Sequence, residues 1–91
     1  MTVIAESVVP GLTQELYDSL IGQFEAKVRE APGFVAHVAC EVPGGYKVTE
    51  ICDSPEQFNA WVSETVLPAA LAVGMKPPII TVTPAHYLIK K

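Results

Sequence analysis

The chain has 91 residues, of which 49% are hydrophobic, and a net charge of −4. This length allows a single domain, residues 1–91, and the six lysines and arginines form no basic stripe, so we expect no binding to nucleic acid. No apolar run reaches the ~20 residues that a membrane span requires, and the first ten residues lack the features of a signal peptide. We therefore expect a cytoplasmic protein without membrane contact, in which Cys40 and Cys52 are reduced thiols.

The first third of the sequence predicts a strand and an amphipathic helix. Residues 2–9 (TVIAESVV) are rich in β-branched side chains and stop at a Pro-Gly turn. Thr13 is a suitable helix N-cap, and Leu12 before it can pack on Tyr17 in the first turn. The helix should end before Pro32, and its apolar stripe comprises Leu16, Tyr17, Leu20, Ile21, Phe24 and Val28.

The middle of the sequence predicts a β-hairpin with strands at residues 34–42 and 46–52. If Gly44 and Gly45 form its two-residue turn, His37 lies opposite Cys52. Three side chains then share one face of the sheet: His37, Glu50 and Cys52. The opposite face of the first of these strands is apolar and should pack under the helices, which leaves the polar face to line an interior lumen. Its residues are Phe34, Ala36, Val38 and Cys40.

A second helix and a last strand complete the chain. Ser54 is suited to the N-cap, Pro55 to the first helical position and Gln57 to a capping box. The apolar face that follows is Phe58, Val62, Thr65 and Ala69, with Trp61 beside it. Pro68 should bend or restart the helix, and Gly74 should end it. Residues 79–89 predict the last strand, notched at Pro84.

The resulting order, β-α-β-β-α-β, is that of the ferredoxin-like α+β fold, an antiparallel sheet with both helices on one face. The other face of the sheet has no cover within the chain. We therefore expect a homodimer in which two sheets face each other as a dimeric α+β barrel.

Four short patterns have the spacing found in a known family. They are PGF, a strand and His37; Gly-Gly, an aromatic residue and a strand with Glu50; S-x-E-x-F-x-x-W at 54–61; and L-P-A-A-L-x-x-G at 67–74. In these patterns the chain resembles small stand-alone members of the antibiotic biosynthesis monooxygenase-like family. The resemblance implies a dimeric α+β barrel, a fold that serves cofactor-free monooxygenases, quinol oxygenases, haem-degrading enzymes and cyclases, so it does not select a reaction.

The haem-degrading relatives can be compared residue by residue. They carry an Asn in the first strand, a Trp in the second helix and a His ten residues after that Trp. Trp61 matches the Trp, but position 71 is Leu71, and the first strand has no Asn. We therefore expect that haem is not a substrate of this protein.

Three polar side chains are candidate catalytic groups: His37, Glu50 and His86. A neutral histidine beside a carboxylate is a competent general base near neutral pH, so Glu50 could orient His37 or act as the base itself. Each has a structural alternative. His37 could be a hydrogen-bonded strut, Glu50 a solvated edge carboxylate, and His86 an exposed residue at a strand end or dimer seam.

Candidate substrate-binding residues are Tyr17, Phe24, Tyr46, Cys52 and Trp61, although Tyr17, Phe24 and Trp61 suit the core better than a ligand surface. Two histidines without clustered thiols or carboxylates do not indicate a metal site, and we expect no cofactor. The leading hypothesis is a cofactor-free enzyme of the monooxygenase or cyclase type. It would remove a proton from a hydrophobic, aromatic or polyketide-like ligand inside the dimeric barrel. The alternatives are a non-catalytic ligand-binding or dimerisation module and an acid–base isomerase or cyclase that does not use oxygen.

Overall fold

The computed structural model of the chain describes residues 1–91. Its strands are β1 (Val3–Pro10), β2 (Phe34–Val42), β3 (Gly45–Cys52) and β4 (Ile79–Pro84). Its helices are α1 (Gln14–Glu30), α2 (Pro55–Trp61) and α3 (Leu67–Ala72), with a π turn at Val62–Val66 between the last two. The strands are antiparallel in the order β2-β3-β1-β4, which confirms the predicted ferredoxin-like α+β fold. No helix combines the length and apolar character that crossing a membrane requires.

Side-chain caps begin both helical segments where the sequence predicts them. Thr13 Oγ1 accepts a hydrogen bond from the Leu16 N–H at 3.2 Å, and Ser54 Oγ accepts one from the Gln57 N–H at 3.2 Å. The Gln57 side chain completes the second cap by accepting from the Ser54 hydroxyl at 3.0 Å. The bonds from the Leu16 and Gln57 N–H groups satisfy backbone donors that the first turn of a helix leaves free.

The predicted break in the second helical segment takes the form of a π turn just ahead of Pro68. The Leu67 N–H bonds to the Val62 carbonyl, five residues back instead of four. Pro68 has no N–H, and its ring would crowd the carbonyl four residues earlier, so the wider turn relieves the conflict.

The last strand is shorter than predicted. It ends at Pro84 instead of residue 89, because proline cannot donate to the strand ladder. The Ala85 N–H still bonds to the Thr2 carbonyl at 2.9 Å, but the segment that follows is not a strand.

The register of the β2–β3 hairpin also differs from the prediction. Val42 pairs with Gly45, so the turn is Pro43-Gly44, and Gly44 has φ of +79°. Proline followed by a glycine with positive φ is typical of a type II turn. His37 therefore lies opposite Glu50 instead of Cys52. The partner moves by two residues, an even number, so His37 and Glu50 still share one face.

The helices cover the other face of the sheet from the one that the sequence predicts. Glu50, Cys52 and Tyr46 are buried on the side of the helices, whereas Ala36 and Val38 are exposed on the other side. An irregularity between Phe34 and Ala36 also separates Phe34 from that outer face. The expectation that His37 and Glu50 line a lumen between two sheets is therefore wrong, since they lie between the sheet and the helices. An apolar strand face suits a helix or a second sheet equally well, so the pattern alone could not decide.

The core consists of two separate clusters along β1. One contains Val3, Ala5, Cys52 and Phe58, and the other contains Val9, Leu12 and Tyr46. Val3 and Val9 are six positions apart on an extended strand, about 20 Å at the usual rise per residue. The helices and the sheet thus pack tightly at two places, and a space remains between these two clusters.

Alanine substitution at two glycines should change the stability of the protein in opposite directions. A Cβ at Gly45 would lie 2.2 Å from the Val9 carbonyl oxygen, so Gly45→Ala forces β1 and β3 apart and should cost about 1–3 kcal/mol of stability. Gly22 is exposed within α1 with open space around it, so Gly22→Ala should add about 0.5–1 kcal/mol. Thermal melts at one protein concentration measure both variants. An unchanged or higher melting temperature for Gly45→Ala would contradict the close approach of the two strands.

Candidate functional site

A cavity of about 140 Å³ lies between the sheet and the helices. Fifteen of its 20 lining residues are hydrophobic, and its walls draw on both core clusters through Val9, Leu12 and Phe58. The apolar stripes predicted for the helices form much of the lining. The polar exceptions include His37 and Glu50, so two ionisable side chains are placed in a mainly apolar wall.

His37 connects a tyrosine on one side with a carboxylate on the other. Its Nε2 lies 2.8 Å from Tyr17 Oη, a good hydrogen-bond distance. Its Nδ1 lies 3.5 Å from Glu50 Oε1, which is too long for a good hydrogen bond, and Nδ1 is buried without another partner. The side chains of His37 and Glu50 are only 16% and 11% exposed, so water competes little for this pair.

The chemistry of the three groups indicates which nitrogen carries the proton. An ionised carboxylate can only accept hydrogen bonds, so Glu50 favours the tautomer of His37 that has its proton on Nδ1. Nε2 is then the acceptor, and the Tyr17 hydroxyl donates to it. We assign the tautomer from this network.

Tyr17 is held in place from two further directions. It lies in the first turn of α1, packed against the cluster that contains Leu12, as the sequence predicts. Its ring stacks on Tyr46 with a centroid distance of 5.3 Å and an interplanar angle of 18°. Burial raises the pKa of Tyr17, and the negative charges of Asp18 and Glu50 raise it further, so the hydroxyl keeps its proton at neutral pH.

Five of the eight residues that the sequence proposed for the site line the cavity: Tyr17, Phe24, His37, Glu50 and Trp61. The Trp61 Nε1 is buried and has no hydrogen-bond partner. Tyr46 does not line the cavity, but its ring stacks on the ring of Tyr17.

Cys52 and His86 are not brought to the cavity. Cys52 is 4% exposed and packs in the core cluster with Val3, Ala5 and Phe58. Burial, followed by the charges of Glu50 and Asp53, raises the pKa of its thiol to about 11. His86 is exposed in the segment after β4. No group of three or more His, Cys, Asp and Glu side chains is placed to bind a metal ion.

Sequence reasoning did not find the hydroxyl that completes the site. Tyr17 belongs to the apolar stripe of α1, and that stripe was read as core or as a ligand surface. The available signal was chemical: its hydroxyl is the one polar group in that stripe, and a buried hydroxyl requires a partner. Had the His37 face been placed under the helices, Tyr17 would have been the natural candidate.

Comparisons with known proteins identify the fold. No protein-family model and no curated protein matches the sequence. Solved structures do match. SnoaB, a cofactor-independent oxygenase from Streptomyces nogalater, has a TM-score of 0.65 and 19% identity over 99% of this chain and 96% of its own. MhuD, a haem degrader from Mycobacterium tuberculosis, has a TM-score of 0.64 and 18% identity over 99% of this chain and 100% of its own.

A third structure, from Deinococcus radiodurans and ascribed to the antibiotic biosynthesis monooxygenases, has a TM-score of 0.66 and 16% identity over 100% of this chain and 98% of its own. The chain has the fold of the antibiotic biosynthesis monooxygenase-like proteins. The resemblance noted in the sequence is thus confirmed for the fold. An oxygenase and a haem degrader share this fold, so the reaction has to be argued from the side chains of the site.

The thiol of Cys52 should be inert in the folded protein. With a pKa of about 11, only about one thiol in a thousand is ionised at pH 8, and the side chain is covered. In a Cys40→Ser variant, an aromatic disulfide reagent should react with the native protein at pH 8 at least ~100-fold more slowly than with the denatured chain. Rapid stoichiometric labelling of the native variant would show that Cys52 is open to ligands.

Proposed function

We propose that the protein is a small cofactor-free enzyme of the monooxygenase type that removes a proton from a phenol or another enolisable aromatic molecule. The observation that carries this proposal is the row of Tyr17, His37 and Glu50 in the wall of an apolar cavity. The enolate or phenolate formed there would react directly with dioxygen.

The surroundings of His37 suit it to act as a base. Its protonation creates a positive charge on the imidazole, and Glu50 Oε1, 3.5 Å from Nδ1, is the neighbouring counter-charge. The mainly apolar lining offers water few hydrogen-bond partners, which disfavours water beside the anion. The reaction requires three things from the protein: a base, an apolar pocket and a fixed orientation of the ligand.

The cavity volume favours a small ligand. An apolar cavity of about 150 Å³ in another protein binds benzene, and the cavity here, of about 140 Å³, is similar. We infer that one aromatic ring occupies it, while larger polycyclic compounds would have to project from its mouth. The same restriction supports the expectation from Leu71 and the first strand that haem is not a substrate.

An oxygen electrode with a panel of hydroquinones and anthrone tests the proposal. Oxygen uptake that depends on the protein supports the monooxygenase, while conversion without oxygen uptake would favour a cyclase or isomerase that uses the same base. Binding without conversion would favour a ligand-binding module. Neither binding nor conversion of any phenol would contradict the proposed function.

His37→Ala separates catalysis from a structural role. If His37 is the base, the specific activity of the folded protein should fall about 10²–10⁴-fold, whatever the change in melting temperature. If His37 is only a strut, its loss leaves Glu50 and Tyr17 unpaired at a cost of about 1–3 kcal/mol, and the remaining folded protein should keep its specific activity. Both quantities are measured on the same variant. Loss of stability with intact specific activity would remove His37 from the mechanism.

We also propose that the protein is a homodimer formed through the outer face of the sheet. Only ten of the 91 residues are buried within the chain. The outer face exposes apolar side chains, with Val38 63% and Ile79 64% exposed, around an ion pair between Glu6 and Lys47. An apolar surface of this kind is typical of an interface. A second sheet would cover it and leave the cavity on the opposite face of each sheet.

Light scattering at micromolar concentration should give twice the chain mass of 9.8 kDa. Val38→Lys places a charge in the proposed interface and should weaken association at least ~100-fold, because an unpaired buried charge costs several kcal/mol. Leu71→Lys is the matched control, since Leu71 is 74% exposed on α3, away from the outer face, and should leave the dimer intact. A wild-type monomer, or equal effects of the two substitutions, would contradict this interface.

A further inference from the structure

In the assigned tautomer, Nε2 is the nitrogen of His37 that can accept a proton, and it already accepts a hydrogen bond from within the chain. Nε2 receives the Tyr17 hydroxyl at 2.8 Å, and Nδ1 faces Glu50 at 3.5 Å. A substrate that reached Nε2 directly would have to displace Tyr17 and leave its hydroxyl without a partner in apolar surroundings, which is unfavourable. The intact geometry offers the substrate the oxygen of Tyr17 instead.

We propose that Tyr17 is the catalytic residue that contacts the substrate and that it relays the proton to His37. The inference rests on the proposed function, whose base it resolves into two groups. As the substrate O–H or C–H bond breaks, its proton bonds to Tyr17 Oη, while the hydroxyl proton of Tyr17 passes to His37 Nε2. The electron pair of the broken bond stays on the substrate as an anion. Tyr17 ends neutral, and His37 ends as an imidazolium beside Glu50.

The position of Tyr17 fits this role. Its side chain lines the cavity together with His37 and Glu50. A phenol oxygen that donates its proton to Nε2 still has lone pairs with which to accept a proton from a ligand. The stack on Tyr46, at 5.3 Å, and the packing near Leu12 restrain the ring, so its oxygen stays directed at His37. A restrained group needs little rearrangement during proton transfer.

4-Nitrophenol is a suitable probe because it has one ring, titrates near neutral pH and forms an anion that absorbs visible light. Bound to the wild-type protein, it should ionise about one pH unit lower than in solution, a ~10-fold increase in its ionisation constant. In Tyr17→Phe and in His37→Gln, the bound probe should lose this shift and ionise no more readily than in solution, because the apolar lining and Glu50 disfavour its anion once no base receives the proton. Tyr87→Phe is the matched control, since Tyr87 is 79% exposed outside the cavity, and it should behave like the wild type.

The outcomes separate the relay from the proposed function. If Tyr17→Phe ionises the bound probe as well as the wild type or better, His37 takes the proton directly, so the relay is wrong while the base remains. If the wild-type protein neither binds nor ionises the probe, the cavity holds no base for phenols, and the proposed function fails together with the relay.

A second measurement needs no variant and applies even if Tyr17→Phe fails to fold. The rate of oxygen uptake with a hydroquinone is followed in mixtures of H₂O and D₂O. A relay moves two exchangeable protons in one step, so the rate should depend quadratically on the deuterium fraction. A linear dependence would indicate one proton in flight and would overturn the relay.

Discussion

The hydrogen bond from Tyr17 to His37 Nε2 connects helix α1 to the edge strand β2 across an otherwise apolar layer. A buried imidazole is costly where its polar atoms lack partners, and Tyr17 is the hydrogen-bond partner of Nε2, so this bond limits how α1 can sit on the sheet. The same bond orients the histidine, and Glu50 on β3 lies on its other side. The arrangement of the layer and the chemistry of the cavity therefore depend on one contact.

Most of the secondary structure could be predicted because its signals are local. A helix cap such as Thr13 or Ser54 acts within three residues, and both caps form as the sequence indicates. The bounds of β2 and the end of α1 likewise follow from adjacent turn residues. The end of β4 was misplaced because a proline allows either a notch or a stop, and the choice at Pro84 depends on the neighbouring strand.

The site was predicted in part, and its errors have a common physical origin. The alternation of side chains along a strand placed His37 and Glu50 on one face, and this prediction is correct although the turn was misassigned. This alternation does not show which face the helices cover, so the site was assigned to a lumen between sheets. Nor does it show which positions on a face are tightly packed. Cys52 shares the face of Glu50 but lies within a packed cluster, whereas Glu50 reaches the cavity. Tertiary packing decides these points.

The most direct test of the central claim is the tautomer of His37, read from the ¹⁵N NMR signals of its ring in the free protein at neutral pH. Only an Nε2 without a proton can accept one from Tyr17. The chain has two histidines, so a His86→Gln variant assigns the signals. We expect that Nδ1 carries the proton and that Nε2 has the shift of a bare, hydrogen-bonded acceptor. A proton on Nε2 with a bare Nδ1 would contradict it, because His37 would then be the donor to Tyr17.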